Sequence, residues 1–333
     1  MNFLIINLKK NTFTIAFIIF TISLLLFSET NLIAARNGFS LFINNVFPAL
    51  FPFFIATEIL YKTNFINICS KFLSKIARPI FNIPPKATIA LILGAISGYP
   101  IGAKIVCNLK KDKIISNIEA ERLIAYTNNS GPLFIVATVG ISLFHSKQIG
   151  YKLLFVHLIS SILVGIIFRN WKKTEDKLFT RLTSRNQHQN NLISISNFGE
   201  TLCDAIKNSI SPLFTVCGFI ILFSIIISTL ETTNLLYILS FPFTIFNVPP
   251  DASKSFLNGL LELTNGVNQI SIFYSDFPIL TLMITSFLLG FSGLSILLQI
   301  YSIISKENIS IKPYFYGKIL QGLFSSILIL FLI

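Results

Sequence analysis

Charge is what this sequence lacks most. Only 12% of its 333 residues are Asp, Glu, Lys or Arg, about half the share usual in soluble domains, while 53% are hydrophobic. Such a chain cannot clothe a globule in solvated side chains, and a soluble domain is excluded. Acidic residues are the scarcer kind, 14 against 26 basic. The net charge of +12 does not indicate nucleic acid, because the Lys and Arg sit in short loops between apolar runs, with no basic patch interleaved with aromatics; membrane orientation explains them better. Cysteine is limited to Cys69, Cys107, Cys203 and Cys217, with no C-x-x-C pair and no His at ligand spacing. No metal site is expected, and the four read as small core residues. His145 and His157 likewise lack metal partners and are read as packed or interfacial. No Asp falls deep inside an apolar run and no Ser has a partner His, so an intramembrane enzyme would lack its nucleophile and base. The chain is read as a non-enzyme without cofactor.

What is present is apolar length. The 34 Phe and long Ile/Leu runs supply several stretches that approach the roughly 20 residues a bilayer-spanning helix needs. Thr12 to Phe27, after Lys9 and Lys10, reads as a first helix rather than a removed signal. Phe39 to Tyr61 is a second span containing Pro48 and Pro52. Ala87 to Leu109 is apolar but carries Gly98-Tyr99-Pro100-Ile101-Gly102 at its middle, a turn signal that divides it into a re-entrant hairpin. Arg122 to Phe144 holds Asn128-Asn129-Ser130-Gly131-Pro132, and Gly150 to Phe168 is an uninterrupted span. A hydrophilic segment from Arg169 to Asn191 carries Arg169, Lys172, Lys173, Lys177, Arg181 and Arg185 and joins two halves. The second half has an amphipathic stretch near Ile193 to Lys207, then a span from Asn208 to Leu230 with Pro212. Ala252 to Tyr274 follows, with the polar centre Glu262-Leu263-Thr264-Asn265-Gly266. Phe277 to Ile304 is broken at Gly290-Phe291-Ser292-Gly293, and a last span starts at Tyr314.

The halves are related. Residues 80–94 laid on 245–259 without gaps agree at seven of fifteen positions: Ile80, Phe81, Asn82, Pro84, Pro85, Ala87 and Gly94 match Ile245, Phe246, Asn247, Pro249, Pro250, Ala252 and Gly259. This is an internal duplication. Between 62 and 122 there are ten Lys or Arg, whereas between 231 and 276 the one basic residue is Lys254. By the positive-inside rule the first hairpin opens to the cytoplasm and the second to the outside, so the repeats are inverted. The expected fold is an all-α polytopic membrane protein with seven spanning helices and two re-entrant hairpins. Inverted repeats with interrupted helices are the common plan of secondary transporters, whose substrates bind near the midplane at the breaks.

Five stretches carry a family resemblance: Ser97-Gly98-Tyr99-Pro100-Ile101-Gly102-Ala103-Lys104, Glu119-Ala120-Glu121-Arg122-Leu123, Thr127-Asn128-Asn129-Ser130-Gly131-Pro132-Leu133-Phe134, Glu262-Leu263-Thr264-Asn265-Gly266 and Gly290-Phe291-Ser292-Gly293-Leu294-Ser295. In these the chain resembles the YlbJ family of sporulation integral membrane proteins, within the nucleoside-recognition or Gate-domain group. The resemblance implies a fold similar to concentrative nucleoside transporters and the export of dipicolinic acid from the mother cell across the outer forespore membrane. The expected division of the chain is an N-terminal helix (1–38), a first Gate-like repeat (39–168, hairpin 87–109), a cytoplasmic basic linker (169–192) and a second, inverted repeat (193–333, hairpin 252–274). The partners are then the bilayer, a small anionic substrate such as dipicolinate, and a coupling ion, proton or sodium; a homo-oligomer is compatible. Nucleoside uptake and a non-transporting role in spore maturation are the competing readings.

Candidate site residues follow from depth and polarity. Lys104, just past the first turn, either meets the substrate anion, reaches the cytoplasmic headgroups or pairs with a carboxylate. Glu262 either carries a proton or forms a structural ion pair, with Lys104 as a partner that closes a gate. Asn128, Asn129, Ser130, Ser292 and Ser295 place amides and hydroxyls beside the breaks, as substrate ligands or as helix-to-helix hydrogen bonds. Thr264, Asn265, Asn268 and Gln269 line the site or cap the second hairpin. Glu58 lies near the cytoplasmic end of its span and can reach water. Gly98, Tyr99, Pro100, Gly102, Gly131, Pro132, Gly266 and Gly293 are assigned to turns.

Overall fold

The computed structural model describes residues 2–172, 198–244 and 249–333. The linker's Lys173, Lys177, Arg181 and Arg185, the start of the amphipathic stretch at Ile193, and Ile245, Phe246 and Asn247 of the repeat lie outside the described residues. Among those described there is no strand. The helices are α1 (Asn2–Leu26), α2 (Ser28–Leu41), α3 (Phe47–Lys62), α4 (Phe65–Ile76), α5 (Thr88–Ser97), α6 (Ile101–Lys111), α7 (Asn117–Thr127), α8 (Lys147–Phe168), α9 (Phe198–Thr232), α10 (Leu235–Thr244), α11 (Pro250–Leu261), α12 (Leu263–Ser271), α13 (Pro278–Phe291), α14 (Gly293–Ile304) and α15 (Lys312–Ile329). A π-helix, Phe134–Leu143, separates α7 from α8. Among the described residues, four helical runs are long and apolar enough to cross a membrane: Ser28–Lys62, Lys147–Phe168, Phe198–Thr232 and Pro278–Glu307. Leu25, Phe72, Phe214 and Ile272 lie on the outer surface, more than two-thirds exposed. Lipid covers such a surface without cost, whereas water would not.

Two spans are longer than their apolar cores. The expected second span begins eleven residues earlier, at Ser28, because a widened π turn, Phe42–Val46, joins α2 to α3. That turn shifts the backbone pairing just before Pro48, where an ordinary α-turn would demand a missing N–H. The amphipathic stretch and the span after it are one continuous helix of 35 residues, α9, about 50 Å long. Cys69, Cys107 and Cys217 are buried as expected; Cys203, on the polar first turns of α9, is exposed, which corrects its reading as a core residue.

Elements recur in order across the halves: a long helix (α2–α3, α9), a short one (α4, α10), a helical hairpin (α5–α6, α11–α12), a broken helix (α7 and the π-helix, α13–α14) and a closing helix (α8, α15). Their packing is reciprocal. The closing helix α15 lies on α7 while α8 touches α13, and the two closing helices lie against each other. Similarly α6 meets α14 as α12 meets the π-helix.

Candidate functional site

Each hairpin approaches a helix break closely enough for backbone to meet backbone. α5 ends at Gly98, whose φ of +80° suits glycine, and Gly98 lies against the Gly131 amide in the broken segment after α7. Gly102 lies inside α6, not in the turn as expected. A Cβ there would fall 2.9 Å from the Asn128 Cα, so glycine lets the hairpin close onto the break. In the other half the chain breaks at Glu262 itself, extended at φ −139°, and Gly293 (φ +80°) sits over this break. Gly266 is therefore no turn residue; it lies within α12 and faces Gly259 across the hairpin. The helix after the first break resumes at Pro132.

The breaks meet at a small central cavity. Val46 and Leu50 line it from one long helix and Val216 and Ile220 from the other. Tyr99 and Gly131 enter from the first half, Glu262, Thr264, Ile296 and Gln299 from the second, with Phe134 closing it. At about 20 Å³ it holds roughly one water, so this is a closed arrangement. Glu262, 1% exposed, caps α12: its Oε2 accepts the Asn265 N–H at 2.8 Å. Gln299, 2% exposed, also lines the cavity, and its Oε1 is a buried acceptor without a donor.

Asn128, Asn129 and Ser130 tie the two halves together. The Asn128 amide donates to the Tyr314 hydroxyl (3.3 Å) and its Oδ1 accepts the Ala103 N–H (3.4 Å). Asn129 Oδ1 accepts from Gln321 (2.8 Å), and its amide reaches the Tyr126 carbonyl and Ser161. Ser130 donates to the Tyr99 hydroxyl (3.0 Å), while its N–H donates to His157 Nε2 (3.2 Å). His157 is thus packed, as expected. Tyr99 is more than a turn residue, since it also lines the cavity.

Lys104 is elsewhere. It pairs with Glu58 of α3 and reaches the Asn208 carbonyl (3.4 Å), away from the cavity lining. The expected Lys104–Glu262 pair does not form, because α6 turns Lys104 toward α3 and the Glu262 carboxylate is engaged at the α12 N-terminus. Glu58 is this ion-pair partner and not a group simply reaching water. Asn268 is exposed and Gln269 accepts from Asn258 (2.7 Å), so neither lines the central cavity. Asn265 donates to Ser224 (2.9 Å). Ser292 and Ser295 are wholly buried: Ser292 contacts the Leu289 carbonyl (3.5 Å) and Ser295 accepts from Gln299 (3.4 Å).

Sequence reasoning missed Gln299, Lys318, Tyr314, Gln321 and Arg122. Lys318 and Arg122 are both 0% exposed. The signal for the first was a polar stripe, Tyr314, Lys318, Gln321 and Ser325, at helical spacing in an otherwise apolar span. Arg122 looked like a flanking charge, but its guanidinium donates to the Trp171 carbonyl (3.0 and 2.9 Å) and to the Asn82 carbonyl (3.3 Å), clamping the chain after α8 to the turn before α5.

The nucleoside-recognition (Gate) family matches residues 43–153. The sporulation integral membrane protein YlbJ of Bacillus subtilis is 32% identical over 344 aligned residues, covering 98% of this chain and 84% of that protein. No solved structure matches the chain.

Proposed function

The chain belongs to the family of the sporulation integral membrane protein YlbJ, and from that premise we propose that it is a transporter of a small polar metabolite, bound between the two hairpins. One observation carries this reading: helix breaks from both halves converge on a single buried cavity that holds a carboxylate and an unpartnered amide oxygen. Such groups are expensive in a membrane unless a ligand or water uses them. In this reading seven helices span the bilayer, the hairpins are re-entrant and open to opposite sides, and the halves exchange access to the cavity by rocking.

Dipicolinate, moved from the mother-cell cytoplasm across the outer forespore membrane, is the substrate the resemblance implies. A nucleoside is the second reading, and the lining favours it. Glu262 and Gln299 Oε1 are acceptors that suit hydroxyl and N–H donors, and no Lys or Arg is among the cavity-lining residues.

The test is uptake of labelled dipicolinate and of uridine into proteoliposomes. We expect saturable uptake of one of them, reduced at least about tenfold by Glu262→Gln and by less than about threefold by Lys104→Gln. Flux of neither substrate would sink the transport reading in favour of a non-transporting role in spore maturation.

A further inference from the structure

Lys318 lies in the middle of α15 at 0% exposure. Its Nζ donates to Gln321 Oε1 at 2.8 Å and sits 5.7 Å from the centroid of the Tyr314 ring. An ammonium has three N–H groups to place, and among the described residues one acceptor, Gln321 Oε1, is in reach. No carboxylate among the described residues is within ion-pair distance of it. A lysine serving only the fold would be expected to face an acid, because an unpaired buried cation costs several kcal/mol.

Its connections lead to the first helix break. Gln321, which accepts from Lys318, donates to Asn129 Oδ1 (2.8 Å) and to the His157 carbonyl (3.3 Å). The neighbouring Ser130 N–H rests on His157 Nε2, while His157 Nδ1 is buried without a partner. Two hydrogen bonds therefore separate the Lys318 nitrogen from the unwound segment that meets the first hairpin.

The titratable surroundings are sparse. α13, which packs on α15, carries no ionisable side chain. From α8, His157 faces Lys318, whereas Lys147, Tyr151 and Lys152 lie in its first turns. On α7, Tyr126 stacks on Phe81, Glu119 caps the helix, Glu121 binds Trp171 and Lys172, and Arg122 holds the Trp171 and Asn82 carbonyls. On α15 itself Tyr314 accepts from Asn128, and Lys312 stands at the first residue.

We propose that Lys318 carries the proton that couples transport to a proton gradient. This rests on the transporter reading and deepens it. When one side opens and wets the cluster, the amine lone pair takes a proton from hydronium, forming an N–H bond and releasing water. On the other side that proton returns to water and the amine is restored. The change from three donors to two donors and an acceptor alters what Gln321 can offer Asn129, and so the break. Lys318 does not line the cavity, so its loss should uncouple transport rather than abolish binding.

The experiment uses proteoliposomes with labelled dipicolinate and uridine in two modes: accumulation driven by an imposed pH gradient without sodium, and counterflow against preloaded unlabelled substrate. Lys318→Met and Lys318→Arg should lose gradient-driven accumulation at least about tenfold while counterflow stays within about threefold of wild type. Either variant still driven by the gradient overturns the proposal. So does wild type driven by sodium alone, and so does loss of counterflow in both variants, which would make Lys318 structural. Absence of counterflow in the wild type would instead overturn the transport reading, and this proposal with it.

Discussion

Lys104 and Glu58 were both visible as isolated charges in the sequence, but their union was not. They stand 46 positions apart, and it takes the α5–α6 hairpin, with α5 packed on α3, to join them. Glu58→Gln and Lys104→Gln should each lower the apparent melting temperature in detergent. The double variant should cost less than the sum, by a coupling of roughly 1 kcal/mol; strict additivity would show the pair to be incidental. Arg122 makes a larger claim on stability. Arg122→Met strips the charged donor from two backbone carbonyls and should cost about 2–3 kcal/mol, read as a drop in the same melting temperature. Its effect on uptake per folded molecule should be small, since it lies outside the cavity lining. Lys318 escaped notice because composition averages over a span, and one cation among Ile and Leu does not stop a segment from reading as apolar. Only the spacing to Tyr314, Gln321 and Ser325 marks it as facing inward.

At the scale of elements the breaks were the most legible feature. Gly98-Tyr99-Pro100, Asn128 to Gly131 and Ser292-Gly293 each interrupt a helix where the residues cannot continue one, and those local reasons survive packing. The polar centre of the second hairpin was placed correctly, yet the turn was assigned too broadly: a single extended residue, Glu262, makes it. The π turns were illegible, because they record how prolines and neighbouring helices are accommodated and leave no composition of their own. The seating of hairpin on break gives a direct test. Gly102→Ala, whose new Cβ would crowd Asn128, should destabilise by about 1–3 kcal/mol and reduce uptake. Gly218→Ala, whose added carbon would meet nothing within 4 Å beyond its own helix backbone, should leave both unchanged. Equal behaviour of the two would mean that the close approach has no role.

For the whole molecule, the order of the long apolar segments was readable from hydropathy, whereas the short helices α4 and α10 were not, and neither was which helix touches which. In a cysteine-free background, a cysteine placed at Lys113 should be labelled by an impermeant reagent from the cytoplasmic face and one at Asp276 from the opposite face. Labelling of both from one side would refute the inversion. The reciprocal packing has a consequence for how the protein is made. Each half rests its closing helix on its sibling's broken one, so neither half has a finished interior alone, and the two behave as obligate subunits that happen to share a peptide bond. A chain cut between Lys172 and Phe198 and supplied as two co-expressed pieces should reassemble, while either piece made singly should be cleared by proteolysis. The covalent join then contributes effective concentration and equal dosage of the two halves, not shape.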